Sequence, residues 1–211
     1  MTATLGSPQL VAGALLPGFA DAVLGGQAVF RAVLDALSRP GRAVACPEPL
    51  PAPAPLGSAM AAVALTLVDF DTPVWLDPAL SIPAVQSFLR FHTGGPLVAD
   101  PAAAGFLFVA DAASLPRLGR LALGDDRYPD RSATLVVEVP ALDGSLSGGP
   151  ASGRFTGPGI AVAEPAGIAG LPSWFREDWA ANGAAYPLGV DLLFTCGDRM
   201  LGLPRTTRWE G

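Results

Sequence analysis

The sequence predicts an α/β protein, specifically a three-layer αβα sandwich built on a mixed sheet. Helical and extended patterns alternate in the first half of the chain, and extended patterns dominate the second half. Half of the residues are hydrophobic and 15% are charged, which is typical of a sheet covered on both faces. At 211 residues the chain fits one large domain. We place that domain at residues 27–211, after an N-terminal arm at residues 1–26.

The N-terminal quarter predicts one helix and two extended segments after the arm. Residues 1–26 are rich in Gly, Ala and Pro and show little periodicity, so we expect them to lie on the surface or on a neighbour. A helix spans Gln27 to Arg39. Its apolar face is predicted to carry Phe30, Val33, Leu34 and Leu37. Pro40-Gly41 ends this helix, a short strand follows at Val44–Cys46, and Pro47–Pro55 favours a polyproline II connector.

Two further helices are predicted on either side of a short strand. Ala59 to Val68 is almost wholly apolar, so this helix is expected to be buried between layers. Val74–Leu76 is a brief strand. The next helix starts near Ile82-Pro83, because proline is tolerated in a first helical turn. One face of it carries Val85, Phe88, Leu89 and His92. Gly94-Gly95-Pro96 ends the helix.

The second half is predicted to consist mainly of strands. Gly105–Ala110 and Ala133–Val139 are apolar runs typical of inner strands, and Ser114–Leu121 favours a weak short helix. Arg154–Ala163 predicts a strand pair around a Gly-Pro-Gly turn. This turn lacks the third glycine of a dinucleotide-binding fingerprint. Ser173–Asn182 is predicted to be a helix.

The chain closes with a predicted hairpin at residues 186–207. The apolar run Val190–Phe194 is typical of a buried strand, and Gly197-Asp198 supplies the turn. A second apolar run ends at Pro204, which lacks the N–H that an inner strand needs. The hairpin is therefore expected to deliver the polar Arg205-Thr206-Thr207 segment to one end of a sheet.

Charge and composition exclude several classes of function. The net charge is −6, and all 13 basic residues are arginines, so no basic cluster favours a nucleic-acid partner. Without lysine the chain can form no Schiff base with pyridoxal phosphate, and it has no phosphate-binding loop of the Gly-Lys-Ser/Thr type. No segment reaches the roughly 18 apolar residues of a membrane span. We therefore expect a soluble, cytoplasmic protein with no membrane partner.

The cysteines and the single histidine predict no metal centre. Cys46 and Cys196 lie far apart in the sequence, and neither belongs to a Cys-x-x-Cys pair. We interpret both as reduced, buried, small hydrophobic residues. With one histidine and no nucleophile-elbow motif, no catalytic triad is predicted. We expect no metal and no cofactor.

A pair of carboxylates follows the second helix. Asp69 and Asp71 flank a phenylalanine at the helix end, where the dipole disfavours negative charge. We predict that they bind arginines such as Arg90 or Arg31, with metal ligation as the alternative.

The predicted substrate-binding residues are His92, Thr93, Arg205, Thr206 and Thr207. A histidine at a helix C-terminus is favoured in its protonated form. With Arg205 and the two threonines after it, such a cation could hold a phosphonate or phosphate by charge-assisted hydrogen bonds. Two alternatives stay open: His92 packs in the core with its nitrogens satisfied by the backbone, and Arg205 forms a structural ion pair. No residue is predicted to be catalytic.

A set of motifs in a fixed order resembles a known family. They are Phe30-Arg31, Ser38-Arg39-Pro40-Gly41, Leu65–Leu76, Leu89–Thr93 and Tyr186–Thr207. In this order and spacing they resemble the PhnH family of the bacterial carbon–phosphorus lyase system, over residues 27–207. One departure is Gly124-Asp125, where the family pattern has Gly-Thr before the charged loop; a hydroxyl role at that position is therefore not carried over.

The resemblance implies a role in phosphonate catabolism. Family members are subunits of a PhnG–PhnH–PhnI–PhnJ core complex, which displaces adenine from ATP to give a ribose 1-alkylphosphonate 5-triphosphate. Their fold is similar to the large domain of pyridoxal-phosphate-dependent transferases, but without that cofactor. The isolated subunit is associated with homodimers. The family supplies no established catalytic residue for this chain.

Three hypotheses for function follow. The first is an accessory, non-catalytic subunit that docks on its partners PhnG, PhnI and PhnJ through an apolar face. The second is a stand-alone phosphonate- or nucleotide-binding enzyme that uses His92 and Arg205. The third is a relic of the pyridoxal-phosphate fold that serves only as a dimeric scaffold.

Overall fold

The computed structural model describes residues 15–142 and 152–210, and it has an α/β fold. Four α-helices and nine strands are present in these ranges. The helices are α1 Ala22–Ser38, α2 Ser58–Leu67, α3 Pro83–Thr93 and α4 Phe175–Ala184. The strands are β1 Val44–Ala45, β2 Val74–Leu76, β3 Phe106–Val109, β4 Thr134–Glu138, β5 Ser152–Thr156, β6 Glu164–Gly167, β7 Asp191–Cys196, β8 Arg199–Leu203 and β9 Arg208–Glu210.

The main sheet is mixed, as the sequence predicts. Its six strands run in the order β1-β8-β7-β4-β3-β2. Strands β2, β3, β4 and β7 are parallel, whereas the β7–β8 hairpin is antiparallel and β1 pairs antiparallel with β8. The predicted C-terminal hairpin is confirmed, with Phe194 opposite Leu201 in its register. The apolar runs that predicted inner strands lie at the centre of this sheet.

A second, antiparallel sheet has the order β6-β5-β9. The strand pair predicted over Arg154–Ala163 is present, but its second strand lies later in the chain, since β5 spans Ser152–Thr156 and β6 spans Glu164–Gly167. Strand β9 was not predicted, because the sequence after Pro204 has only a polar tail and one tryptophan. Trp209 of β9 lies opposite Phe155 of β5, and their rings are 4.9 Å apart at the centroids. This contact ties the end of the chain to the small sheet.

Two hydrophobic clusters cover the two faces of the main sheet. Phe108, Val136 and Leu193 face α1, α2 and α3. Their strand neighbours, such as Leu107 and Leu135, face α4 and the small sheet. Successive side chains of a strand point to opposite faces, so the near-continuous apolar runs supply both clusters at once.

Helix α1 differs from its prediction in both its start and its buried face. It begins at Ala22, because the Asp21 carboxylate accepts hydrogen bonds from the amides of Val23 and Leu24. Its buried residues are Gly25, Val29, Val33 and Ala36. Phe30 and Leu34, predicted to be buried, are 46% and 50% exposed. The division of the chain at residue 26 stays a prediction, although residues 22–26 belong to this helix.

The small residues Gly25 and Ala36 explain why α1 buries this face against the sheet. The helix packs directly on β8 at Gly202, where an added Cβ would lie 2.6 Å from the carbonyl oxygen of Ala36. Glycine at position 202 allows this approach of helix to sheet, because a side chain there would meet the backbone of α1. The larger residues Phe30 and Leu34 are therefore left on the outer face.

Two local predictions are wrong. The helix predicted at Ser114–Leu121 is a pair of short 3₁₀ turns, Ala112–Ser114 and Leu118–Arg120. Pro116 interrupts the segment, and the Asp178 carboxylate binds the Leu118 amide that a helix would use internally. The predicted pairing of Asp69 with an arginine is also wrong, because its carboxylate accepts from the Thr72 hydroxyl at 2.6 Å and the Asp71 amide at 3.0 Å. These nearer donors lower the pKa of Asp69.

The two cysteines are free thiols in different surroundings. Cys46 is 5% exposed and Cys196 is half-buried at the end of β7. Burial raises the pKa of the Cys46 thiol above its ordinary value, and the nearby Asp198 and Glu48 carboxylates raise it further, against a lowering by the Glu48 backbone amide.

No helix in residues 15–142 and 152–210 has the length and apolar character to cross a bilayer.

This difference predicts unequal alkylation of the two thiols. The thiolate is the reactive form, so a raised pKa leaves a smaller reactive fraction at a pH near the ordinary thiol pKa of about 8.5. We expect iodoacetamide to modify Cys196 well before Cys46 in the native chain, as followed by peptide mass spectrometry. In guanidinium chloride the two rates should converge. Equal rates in the native chain would contradict the assignment.

Candidate functional site

His92 and Thr93 are used within the chain at the end of α3. The Nε2 atom of His92 lies 3.0 Å from the carbonyl oxygen of Leu16. Since a carbonyl oxygen only accepts, Nε2 carries a proton and donates it. The Nδ1 side packs closely against Gly18, where an added Cβ would lie 3.0 Å from that nitrogen. The Thr93 hydroxyl donates to the Leu89 carbonyl at 2.8 Å and accepts from the Gly95 amide at 3.1 Å. His92 therefore holds the segment before α1, and Thr93 closes the helix end.

Arg205 is likewise fully engaged. Its guanidinium binds both carboxylate oxygens of Asp191, with Nε donating to Oδ1 at 3.1 Å. The remaining N–H groups donate to the carbonyls of Pro129 and Pro187, each at 3.2 Å, and to the hydroxyl of Ser132. All donors of the guanidinium thus have partners within the chain. The structural ion pair that the sequence left open is the arrangement observed.

The structure does not bring His92 and Arg205 together. The chain after α3 runs beside Thr72, next to the start of β2, whereas Arg205 binds the first residue of β7. Strands β3 and β4 lie between β2 and β7. At about 4.8 Å per strand, this order separates the two positions by about 14 Å. Substrate binding by the five predicted residues stays a prediction, but His92 and Thr93 belong to a different part of the surface from residues 205–207.

Residues 205–207 line a cleft of 670 Å³ beside α4, which we call the α4 cleft. Its other walls come from α4, the segment after it, β9 and the β5–β6 turn. The lining residues are Pro158, Arg176, Trp179, Ala180, Gly183, Ala184, Tyr186, Arg205, Thr206, Thr207, Arg208 and Trp209. Three are arginines and none is acidic, although the chain has 19 acidic residues. The volume falls in the range of small-molecule sites, about 300–1,000 Å³.

One face of α4 forms a wall of the cleft. Arg176, Ala180, Gly183 and Ala184 recur at helical spacing and so share that face. Trp179 is 1% exposed, and its indole N–H donates to the Thr207 carbonyl at 3.0 Å. This bond joins the helix to the segment that follows β8. The small side chains leave the cleft open along the helix.

The lining of the cleft combines cations with aromatic rings. The Arg176 guanidinium lies 5.7 Å from the centre of the Trp209 ring. Arg208 is exposed at the start of β9, Thr206 is half-buried, and the Tyr186 side chain is 63% exposed. Thr207 is 2% exposed, and its hydroxyl has no hydrogen-bond partner among the described residues. A cleft of this kind suits an anion that also carries a flat ring.

Sequence reasoning found one wall of this cleft and missed the other. The sequence predicts Arg205, Thr206 and Thr207 as ligand-binding residues, but not Arg176, Tyr186 or Arg208. The helical spacing of an arginine with small residues is present in the sequence. The contact between this face of α4 and residues 205–209 includes the bond between Trp179 and Thr207, which joins residues 28 positions apart.

The carboxyl edge of the parallel strands is a common ligand position in α/β proteins, and two acidic residues there are held by bonds within the chain. Asp77 is 1% exposed and accepts from the amides of Leu80 and Ala110 and the hydroxyl of Ser114. Glu138 accepts from the Thr195 hydroxyl and the Gly197 amide. Within residues 15–142 and 152–210, no group of three or more potential metal ligands occurs.

Comparisons with known proteins agree with the family resemblance. Residues 17–210 match the model of the family described as bacterial phosphonate metabolism protein (PhnH). The chain is 46% identical over 198 residues to the alpha-D-ribose 1-methylphosphonate 5-triphosphate synthase subunit PhnH of Rhizobium meliloti (strain 1021), covering 91% of this chain and 94% of that protein. It is 36% identical over 190 residues to the putative C-P lyase subunit protein HtxG of Stutzerimonas stutzeri, covering 86% and 84%. The chain therefore belongs to the PhnH family of bacterial phosphonate metabolism proteins.

Proposed function

We propose that this chain is the PhnH-type subunit of an alpha-D-ribose 1-methylphosphonate 5-triphosphate synthase, the core complex of carbon–phosphorus lyase. Its proposed partners are PhnG, PhnI and PhnJ, and its proposed setting is the cytoplasm. The observation that carries the proposal is the 46% identity to a subunit with that name, which extends over 91% of this chain. The family match over residues 17–210 supports the same conclusion.

The role we propose is accessory, with no turnover by the chain alone. The stand-alone alternative assigned the polar chemistry to His92 and Arg205. Both side chains are bound within the chain, His92 to Leu16 and Arg205 to Asp191. A group that has its partners already must lose them before it can act on a substrate. These contacts favour the accessory role.

An exposed apolar surface on α1 supports docking on partner subunits. It consists of Val23, Leu24, Phe30 and Leu34, which are 78%, 64%, 46% and 50% exposed, and we call it the α1 stripe. Val23, Phe30 and Leu34 recur at i, i+7 and i+11, so they lie on one face of the helix. A contiguous apolar face of this kind is typical of a protein interface. We propose that partner subunits cover it in the complex, and that the isolated chain uses it in a homodimer.

We also propose the finer fold assignment, a three-layer αβα sandwich similar to the large domain of pyridoxal-phosphate-dependent transferases. The four parallel strands and the antiparallel β7–β8 hairpin support it. Helices α1, α2 and α3 cover one face, and α4 covers the other together with the small sheet. The chain has no lysine to bind pyridoxal phosphate, so the proposed likeness is one of architecture.

The proposed function predicts assembly and growth together. In a host that lacks its own PhnH but keeps the other subunits, we expect this chain to restore growth on methylphosphonate as the only phosphorus source. We also expect a tagged chain to co-purify with PhnG, PhnI and PhnJ. Failure of both, with the chain present in soluble form, would contradict the subunit assignment. Release of adenine from ATP by the purified chain alone would instead favour the stand-alone enzyme.

A further inference from the structure

The α4 cleft is an elongated groove between a helix and a strand. Arg205 lies beside Gly183, where an added Cβ would be 3.6 Å from the Arg205 carbonyl oxygen. The ring of Trp209 lies beside Arg176, in the first turn of α4. The chain from 205 to 209 therefore runs antiparallel to the helix. From Arg176 to Ala184 the groove extends about 12 Å at 1.5 Å per residue, which is the length of about four residues of extended chain.

The backbone beside this groove has unused hydrogen-bonding groups. Strand β9 forms an edge of the small sheet, because β5 is its one partner strand in the described part of the chain. An extended segment can add to such an edge through main-chain hydrogen bonds. The facing wall of α4 has the small side chains Ala180, Gly183 and Ala184, so the backbone of a bound segment can approach closely. The buried hydroxyl of Thr207 lies in the lining without a partner, and an acceptor in the groove would give it one.

The charge of the groove favours a carboxylate. Arg208 is exposed, and its guanidinium has no ion-pair or hydrogen-bond partner within residues 15–142 and 152–210. The other two arginines of the lining have contacts within the chain, so Arg208 is the cation that a bound segment would meet. No acidic side chain lines the groove, although the chain as a whole carries a net charge of −6. Carboxylates form short, charge-assisted hydrogen bonds with a guanidinium.

The positions of the polar groups favour an extended segment over a small molecule. In small-molecule sites a few polar groups converge on one place. Here Arg208 lies towards the first turn of α4, whereas Tyr186 lies beyond its last residue. Tyr186 is 63% exposed and presents a flat ring to whatever occupies that end. A chain of about four residues reaches both ends, and a compact molecule reaches one.

We infer that the α4 cleft binds an extended segment of a partner subunit, with a carboxylate of that segment at Arg208 and an aromatic side chain beside Tyr186. The inference rests on the proposed function for the presence of partner subunits, and on the groove for the kind of segment. This contact is separate from the α1 stripe, since α1 and α4 cover opposite faces of the main sheet. The chain would therefore touch its partners on two sides.

Photo-cross-linking in the assembled complex tests this inference. The photoreactive residue p-benzoylphenylalanine replaces Tyr186 in the full chain, which is co-expressed with PhnG, PhnI and PhnJ. After irradiation, mass spectrometry identifies the linked peptide. We expect one predominant peptide from a partner subunit, with an aspartate or glutamate within about four residues of the linked position. The control places the same residue at Phe91, which is 69% exposed on α3, and should not yield that peptide.

A charge reversal gives a second, quantitative readout. Binding of the full chain to the other three subunits, purified together, is measured by biolayer interferometry. Arg208→Glu is expected to raise the Kd at least about tenfold, because an attraction is replaced by a repulsion. Arg208→Lys should have a smaller effect, since it keeps the charge. The matched control is Arg90→Glu, an exposed charge reversal on α3, which should leave the Kd unchanged. Thermal unfolding of all variants checks that they remain folded.

Several results would overturn the inference. They are an assembled complex with no cross-link from position 186, a linked peptide without an acidic residue, a link to a second copy of this chain, and equal Kd values for Arg208→Glu and Arg90→Glu. Each of these leaves the proposed function standing if the complex assembles and supports growth. A chain that neither assembles nor supports growth would overturn the proposed function, and with it the partner named here.

Discussion

Replacing Asp191 by alanine is expected to lower the free energy of unfolding by about 3–5 kcal/mol. The side chains of Arg205 and Asp191 are 13% and 25% exposed, so the pair is largely removed from solvent. Removing the carboxylate leaves the guanidinium charge with no counter-charge among the described residues. The Arg205 backbone amide also loses its acceptor, since it donates to Asp191 Oδ1 at 2.8 Å. Chemical denaturation with urea, followed by circular dichroism, measures the loss.

The chain offers a matched control for this prediction. Asp35 and Arg39 form an exposed ion pair one turn apart on α1, with side chains 39% and 57% exposed. Asp35→Ala is expected to cost about 0.3–0.5 kcal/mol, because solvent screens such a pair. Adding Arg205→Met to Asp191→Ala should recover part of the loss, since the uncompensated charge is then gone. Equal effects of Asp191→Ala and Asp35→Ala would show that the Arg205 pair has no special role.

Replacing both Phe30 and Leu34 by aspartate is expected to abolish co-purification with the partner subunits. Each of these side chains contributes about 1.5–3 kcal/mol when it is fully buried. Because both are already about half buried in the free chain, losing both removes about 1.5–3 kcal/mol, a drop in affinity of at least about tenfold, and burial of two carboxylates adds to it. The free chain should remain folded, because both positions are about half exposed in it. The measurement is pull-down of the proposed partners PhnG, PhnI and PhnJ with the tagged double variant.

Val162→Asp is the control for the α1 stripe. Val162 is 74% exposed and lies in the loop between β5 and β6, outside the α1 stripe. It should assemble like the natural chain. Normal assembly of the Phe30→Asp, Leu34→Asp double variant, with an unchanged thermal unfolding temperature, would show that the partners bind elsewhere.

The α1 stripe shows why periodicity alone gave the wrong buried face. Apolar residues at helical spacing occur on two sides of α1, one with large side chains and one with small side chains. The sequence pattern favours burial of the side with the large side chains, Phe30 and Leu34. The structure buries the side with Gly25 and Ala36, because the backbone of β8 approaches there at Gly202. Which side faces the sheet depends on the partner strand, whose position the local pattern does not contain.

At the candidate site, too, the sequence predicts the position of a residue but not its partner. Arg205 was identified from its place after a buried strand, and the structure confirms that the hairpin delivers it to the start of β7. Its partner could not be read from the sequence, since Asp191 is one of 19 acidic residues. His92 lies on the apolar face of α3, as predicted, with its ring 4.6 Å from that of Phe88. Its acceptor is the carbonyl of Leu16, 76 positions away, so only the folded chain reveals it.

The class of fold, the mixed sheet, the family and the exclusion of lysine chemistry could all be predicted from the residues in order. These follow from short-range properties: the period of the apolar residues, the turn residues between them and the residue types that are present or missing. Only the folded chain shows which face of α1 is exposed, which acid neutralises Arg205 and which residues enclose the α4 cleft. Those features depend on contacts between residues distant in the chain. Burial and electrostatic pairing are set there by the arrangement of whole elements, which no local pattern specifies.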